Sequence, residues 1–170
     1  MKKLLQNLSL VIFIGILVGL SSCKKSSTVI PLPSMKATID GAAWVSIFRL
    51  SVLNQTQTPA NIVITGTPTI SQTADKTLIL TIKGIDAGTY NLNAGTLSAQ
   101  CLIVYKKTST AVENSSDYFT STQATISISK IDKTNKQLSG TFSATLFAVG
   151  VPNAVVITNG TFDNLNYQLN

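Results

Sequence analysis

The chain has 170 residues, a formal net charge of +6 and no histidine. Without histidine it lacks the usual general base of nucleophilic catalysis and the commonest ligand of transition metals. Its basic residues are too few and too scattered to form a nucleic-acid-binding surface. We therefore expect no catalytic residue, no cofactor, no bound metal and no nucleic-acid partner.

The N-terminal segment has the pattern of a lipoprotein export signal. Two lysines precede an apolar run from Leu8 to Leu20, which leads into Ser21-Ser22-Cys23. This run is shorter than the roughly 20 residues that a membrane-spanning helix needs, and small residues before the cysteine admit a signal peptidase. The pattern predicts that residues 1–22 are a cleaved signal peptide and that Cys23 is the site of lipid attachment. Two or three acyl chains would hold the protein firmly on a membrane, since each buried methylene contributes roughly 0.8 kcal/mol.

The segment after the signal is polar and interrupted by Pro31 and Pro33. Because it has no sustained periodicity, residues 23–34 are predicted to form a flexible, lipidated tether. The remaining residues, 35–170, have the length of a single domain. If Cys23 carries lipid, Cys101 has no disulfide partner within the chain. Its strand context predicts a buried, inert thiol.

Beyond the tether, side chains alternate with a period of two, which indicates β-strands. In residues 124–130, for example, Ile126 and Ile128 alternate with hydroxyl-bearing residues. About nine such segments occur, joined by turn sequences such as Asp40-Gly41, and no segment after the signal predicts a helix. The predicted strands are 36–39, 44–53, 61–64, 77–83, 89–92, 99–105, 124–130, 137–147 and 154–162.

The order of these segments predicts an all-β fold, since strands follow one another without crossover helices. Uneven strand lengths and the long segments 66–75 and 106–117 favour an antiparallel β-sandwich. A closed, lipocalin-like β-barrel is the alternative. In the predicted strand 44–53, alternation places Trp44 on one face with Phe48 and Leu50, and core packing is the role expected for Trp44.

Tyr118 and Phe119 are the candidate residues for contact with a ligand or partner. They follow the polar stretch 108–117, in a segment too irregular to be a clear strand, where aromatic side chains would project at a loop edge. The structural alternative is that they open a buried strand.

Four segments of the mature chain carry a resemblance to a known family. They read ATIDGAAW at 37–44, GTYNL at 88–92, ISKID at 128–132 continuing to NKQLSGTF at 135–142, and ITNGTF at 157–162. Together with the export signal, they resemble small lipoproteins encoded by Bacteroidota and grouped as a domain of unknown function. These motifs are strand and turn signatures. The resemblance therefore implies the fold family and the lipid site at Cys23, and it transfers no catalytic residue.

The resemblance to bacterial lipoproteins in general also implies a cellular location. Lys24 stands directly after the predicted lipid site, where aspartate commonly signals retention in the inner membrane, so an outer-membrane location is expected. Lipoproteins that reach the cell surface in that phylum often carry acidic residues at this point, and Lys24-Lys25 departs from that pattern. A periplasm-facing position is slightly favoured over surface exposure.

These observations favour a non-enzymatic binding or accessory module that holds a glycan, a peptide or an envelope protein at the outer membrane. A structural or assembly lipoprotein that docks through an edge strand is one alternative. A barrel that carries lipid in its interior is another. A hydrolase of envelope polymers, built on the carboxylates of Asp40, Asp86, Glu113 and Asp117, is like the lipid-carrying barrel a less favoured alternative, since the spacing of these acids gives no sign of a fixed pair.

Overall fold

The computed structural model describes residues 32–70, 75–93 and 99–170. The predicted signal peptide, Cys23 and most of the predicted tether lie outside these residues. The described part of the chain forms ten β-strands and no helix, so the predicted all-β fold is confirmed. It accordingly contains no helix with the length and apolar character needed to cross a membrane. The strands are β1 (Ser34–Ile39), β2 (Ala42–Val45), β3 (Phe48–Asn54), β4 (Asn61–Thr67), β5 (Thr77–Ile82), β6 (Gly88–Leu92), β7 (Cys101–Lys106), β8 (Tyr118–Asp132), β9 (Gln137–Phe147) and β10 (Val155–Leu169).

Seven of these strands close into a barrel. Around the ring the order is β10, β3, β4, β5, β7, β8 and β9, and β9 pairs again with β10. All neighbours in the ring are antiparallel except β10 and β3, which pair in parallel from Tyr167 opposite Ser51 to Leu169 opposite Leu53. The predicted sandwich is therefore wrong, and the barrel alternative describes the fold. Alternation within single strands could not reveal this, because closure depends on a pairing between residues far apart in the chain.

Three further strands extend the ring. β1 pairs with the first part of β10, and β2 pairs with β1 through a hairpin at Asp40-Gly41. Both turn residues have positive φ, 49° and 79°, as the sequence predicted for a tight hairpin. β6 pairs with the middle of β8, whereas β7 pairs with the first three residues of that strand. The long strands β8 and β10 thus each pair with two different strands along one edge.

Side chains fill the interior of the barrel. Ile62, Leu80, Ile103, Phe119 and Phe162 come from five different ring strands, and each is fully buried. A barrel of about eight strands is only wide enough for its own side chains or one small ligand, and this ring is smaller still. The interior is a packed core, which argues against the lipid-carrying barrel.

Glycines inside the strands make room for aromatic rings in that core. A Cβ atom at Gly66 would lie 2.9 Å from the ring of Trp44, and one at Gly140 would lie 2.5 Å from the ring of Phe162. Gly140 and Phe162 are directly opposite each other on β9 and β10. The absence of a side chain at these positions therefore leaves room for the two rings in the core.

The predicted strand 44–53 is in fact two strands of opposite phase. Trp44 faces the core from β2, which pairs with β1, whereas Phe48 and Leu50 face outward from β3, which pairs with β4. The phase changes at Ser46 and Ile47, where the chain passes from one partner strand to another. Trp44 has the predicted core position, but Phe48 and Leu50 do not share it and instead belong to an exposed apolar surface.

Candidate functional site: the Tyr118 groove

The two predicted contact residues open β8 and point to opposite sides of it. Tyr118 is half-buried, whereas the side chain of Phe119 is fully buried in the core. The ring centroid of Phe119 lies 6.4 Å from that of Tyr105 and 4.7 Å from the ammonium group of Lys107. Phe119 therefore cannot contact a surface ligand, because the segment is a regular strand whose alternation turns its second residue inward. Tyr118 stays a candidate.

Tyr118 lines a surface groove of about 410 Å³, which we name the Tyr118 groove. It lies where β8 begins and β9 ends, and Thr120 and Phe147 are directly opposite each other across these strands. Two aromatic rings, a carboxylate, an amide and a hydroxyl are thus brought together. The lining residues are Glu113, Asn114, Tyr118, Thr120, Phe147, Ala148 and Val149.

The loop that forms one wall of this groove is held in place by hydrogen bonds. The N–H of Lys107 donates to the carbonyl oxygen of Asp117 at 2.9 Å, which closes the loop at its base. The carboxylate of Asp75 accepts the N–H of Ser109 at 2.8 Å, which fastens the loop to the segment before β5. A ligand at Tyr118 would therefore meet a wall that is already formed, so less ordering is required when it binds.

Two of the residues that line the groove are exposed apolar side chains. The exposed fraction is 44% for Phe147 and 61% for Val149. Clustered apolar side chains of this size mark interaction surfaces more often than single ones do. Phe147 is not among the contact residues predicted from the sequence, although its position carries a signal. Phe147 continues the hydroxyl-bearing face of β9, where an aromatic residue has no core to fill.

Two other grooves lie on the outer face of β8, β9 and β10. Their volumes are about 310 and 430 Å³, and they share Thr125 and Ser143 among their lining residues. Hydroxyl-bearing and small side chains make up most of their walls. A polar outer face is the ordinary solvated side of an antiparallel sheet, so these grooves indicate a ligand less strongly than the Tyr118 groove does.

The acids considered for a hydrolase occupy separate positions. The carboxylate of Asp40 accepts the N–H of Val156 at 2.8 Å and so joins the first hairpin to β10. Asp117 accepts a hydroxyl of its own loop at 3.4 Å, Asp86 lies exposed between β5 and β6, and Glu113 lines the Tyr118 groove. Across the described ranges, no three acids, cysteines or histidines are grouped so that they could hold a metal ion.

Cys101 is buried, as its strand context predicted. Its thiol donates to the carbonyl oxygen of Tyr90 at 3.3 Å. Burial raises the pKa of this thiol to about 11, and a hydrogen bond with the Ile126 backbone opposes that rise only in part. The group is therefore a neutral part of the core. Cys23, the predicted lipid site, lies outside the described residues.

The geometry defines a class of protein: a small closed β-barrel with a packed interior and a preformed groove on its outer surface. The chain belongs to the family described as a domain of unknown function (DUF6252), whose model matches residues 32–166. This match confirms that the chain belongs to an uncharacterised family, as the sequence motifs indicated. No curated protein and no solved structure matches the chain.

Proposed function

We propose that this protein is a lipid-anchored, non-enzymatic binding module of the bacterial cell envelope and that its ligand binds in the Tyr118 groove. The observation that carries the proposal is the groove itself. It combines the rings of Tyr118 and Phe147 with the polar side chains of Glu113 and Asn114 on a wall fixed by hydrogen bonds. The proposed ligand is a segment of glycan or peptide, or part of an envelope protein.

The chemistry of the groove suits such a ligand. Aromatic rings supply a large apolar contact area, and the carboxylate and amide supply the directed hydrogen bonds that fix orientation. A volume of about 410 Å³ falls within the usual range for ligand sites. The groove is open along the surface, which fits a polymer segment better than an enclosed small molecule.

The proposed anchor is Cys23. An export signal that ends at this cysteine and a resemblance to Bacteroidota lipoproteins support acylation, and Lys24 supports delivery to the outer membrane. The proposed orientation is toward the periplasm. The lipid would keep the barrel at the membrane, within the reach of the tether.

A binding measurement on purified chain from Cys23 onward tests this function. The probes are soluble peptidoglycan fragments, an oligosaccharide array and short envelope-derived peptides. We expect Tyr118→Ala combined with Phe147→Ser to abolish binding, while the thermal midpoint stays close to wild type because both side chains are partly exposed. Phe48→Ser is the matched control, since Phe48 has a similar exposed fraction of 47% but lies on a different strand.

Two results would contradict the proposal. Equal binding by the wild type and the Tyr118/Phe147 double variant would remove the groove from any role in recognition. Cleavage of a bound probe that is lost with Glu113→Gln would show an enzyme instead of a binding module.

A structural or assembly role has one observation in its favour. β2 pairs only with β1, so it has an edge without a strand partner in the described part of the sheet, whereas on the outer edge of β6 Gln100 already bonds to the backbone N–H and carbonyl oxygen of Asn91. An edge such as that of β2 can accept a strand from another protein. Proline substitution at Ala43, followed by cross-linking in cells, would separate this role from ligand binding at Tyr118.

A further inference from the structure

A second group of exposed apolar side chains lies next to the point where the described chain begins. We name Leu32, Val45, Ile47, Phe48 and Leu50 the base patch. Their exposed fractions run from 41% for Leu50 to 85% for Leu32. None of them has a core to fill, because they lie on the outer sides of β2 and β3 or beside these strands. Ile47 and Phe48 line one groove together with Pro33, the neighbour of Leu32, and exposed apolar side chains grouped in this way indicate a contact surface.

A gap in the barrel wall opens within this patch. β10 pairs with β1 as far as Asp163, opposite Ser34, and it pairs with β3 only from Tyr167, opposite Ser51. At the intervening residues of β10 there is a groove of about 260 Å³, which we name the seam groove. Its lining residues are Pro33, Ile47, Phe48, Arg49, Leu165 and Asn166.

Arg49 is the one charged residue that lines the seam groove, which it reaches at the gap in the wall, because alternation in β3 places it on the face of Ser51 and not on the outward face of Phe48. Its guanidinium donates to the carbonyl oxygen of Ser46, which uses one of five N–H donors. The only ion pair in the described part of the chain joins Lys130 and Asp132, so no carboxylate there neutralises Arg49. A guanidinium set among apolar side chains without an acid partner is suited to bind phosphate in a bidentate manner.

We propose that the base patch and the seam groove dock the barrel onto the membrane that carries its lipid, with Arg49 binding the phosphate of an anionic phospholipid headgroup. This inference rests on the proposed lipid anchor at Cys23. Residues 24–31 are the only link between Cys23 and Leu32, and even when extended this link reaches roughly 30 Å. The base patch is thus held close to the bilayer at all times, which raises its effective concentration there.

The charges near the patch also fit a membrane. Lys36 is exposed and lies directly opposite Val45, so a second cation flanks the apolar side chains. Asp163, which pairs with Ser34, does not line the groove. Apolar side chains flanked by cations are typical of segments that lie at the headgroup boundary of anionic bilayers. A symmetric contact between two copies of this surface would instead bring two unneutralised Arg49 groups together.

Docking on the base patch would also orient the Tyr118 groove. Phe48 belongs to β3 and Tyr118 to β8, which are three strands apart in one direction around the seven-stranded ring and four in the other. The two strands therefore stand on opposite sides of the barrel. With β3 on the membrane, the Tyr118 groove faces away from it and stays open to a ligand.

Fluorescence quenching in vesicles tests this docking. The lipidated full chain is reconstituted into phosphatidylcholine vesicles, with or without about a third phosphatidylglycerol, that contain brominated lipid as quencher. One variant carries Phe48→Trp, and the matched control carries Phe147→Trp. The wild-type protein gives the background fluorescence, which comes from its single tryptophan, the buried Trp44. We expect quenching to be at least about twofold stronger at position 48 than at position 147.

The role of Arg49 is tested by adding Arg49→Gln to the Phe48→Trp variant. This change should weaken docking about fivefold in anionic vesicles, the effect of one cation near such a surface, and weaken it less in pure phosphatidylcholine, where choline balances the charge of the phosphate. Equal quenching at positions 48 and 147 would overturn the proposal. A tryptophan at position 48 that is quenched neither by brominated lipid nor by soluble acrylamide would also overturn the proposal. Such a result would mean that a protein covers the patch. A fivefold loss in both kinds of vesicle, at an unchanged thermal midpoint, would overturn the preference of Arg49 for an anionic headgroup.

Failure of the anchor itself has a separate readout. Mass spectrometry of the purified protein reports whether Cys23 carries acyl chains. If Cys23 carries no acyl chain, the proposed anchor is wrong. The same two tryptophan variants, mixed with preformed vesicles, then still show whether the base patch contacts lipid. If Cys23 is acylated and the two positions are quenched equally, only the docking inference fails.

Discussion

The backbone N–H of Asn170 donates a 3.0 Å hydrogen bond to the carbonyl oxygen of Leu53, where the parallel pairing of β10 with β3 ends. A second bond, of 3.1 Å, runs from the N–H of Gln55 to the carbonyl oxygen of Asn170. The last residues of the chain therefore close the barrel. They connect two strands that no local turn brings together.

Deletion of residues 167–170 should accordingly open the barrel. It removes the parallel pairing and the buried ring of Tyr167, so we expect a loss of at least about 3 kcal/mol in the free energy of unfolding. Urea denaturation followed by circular dichroism measures this change. Asn170→Ala alone removes a side-chain bond to Asn54 and should cost only about 1 kcal/mol. A truncated chain with wild-type stability would show that closure does not depend on β10.

The packing of Phe162 across Gly140 predicts a second effect on stability. A Cβ at Gly140 would collide with the backbone carbonyl oxygen of Ser127 and with the Phe162 ring. Gly140→Ala should therefore destabilise the protein by about 1–3 kcal/mol, as overpacking of a core does. Thr141→Ala, at the exposed neighbouring position, is the matched control and should change stability by less than about 0.5 kcal/mol. Similar values for the two variants in thermal unfolding would contradict the proposed packing.

The hairpin between β8 and β9 predicts a dependence of stability on pH. The backbone N–H of Asn135 and, secondarily, its side chain donate to the Asp132 carboxylate, which lowers the pKa of this group from 3.8 to about 2. A lowered pKa in the folded state stabilises the protein above the ordinary pKa, and that stabilisation is lost as pH falls from about 4 to 2. Asp132→Asn should therefore show a shallower loss of stability across this window. Parallel curves of urea midpoint against pH for the two proteins would argue against the hydrogen bonds.

Cys101 should be almost unreactive in the folded protein. The rise of its pKa from 9.0 to about 11 lowers the thiolate fraction near neutral pH by about a hundredfold, and burial blocks access as well. A chain with Cys23→Ser, whose only thiol is Cys101, should react with a disulfide reagent only after urea is added. Rapid reaction without denaturant would place this strand at the surface or show frequent local opening.

Local sequence chemistry predicted the parts of the fold that depend on neighbours in the chain. Asp40-Gly41 forms the expected turn between antiparallel strands. β10 shows where such chemistry stops being informative. Asn159 and Asn164 adopt positive φ at two irregularities in its pairing, so alternation breaks and the strand was predicted to end at residue 162. The part of β10 that the sequence does not predict, after residue 162, is the part that closes the barrel.

The candidate site was predictable only in part, for a similar reason. Tyr118 was identified from its position after a polar stretch, and it lines the groove. Phe119 was placed beside it because the start of β8 does not read as a strand in isolation; pairing with β7 makes it one and turns Phe119 inward. Phe147 reaches the groove through the register of β9 against β8, which a single sequence does not specify.

Site-specific photo-crosslinking in intact cells tests most directly whether the Tyr118 groove binds a ligand on the side of the barrel turned away from the membrane. A photoreactive amino acid replaces Tyr118 in one strain and Phe48 in another. The expected adducts are an envelope glycan, peptide or protein at position 118 and phospholipid at position 48. Phospholipid at position 118, or no adduct there while position 48 labels lipid, would contradict the proposed binding function.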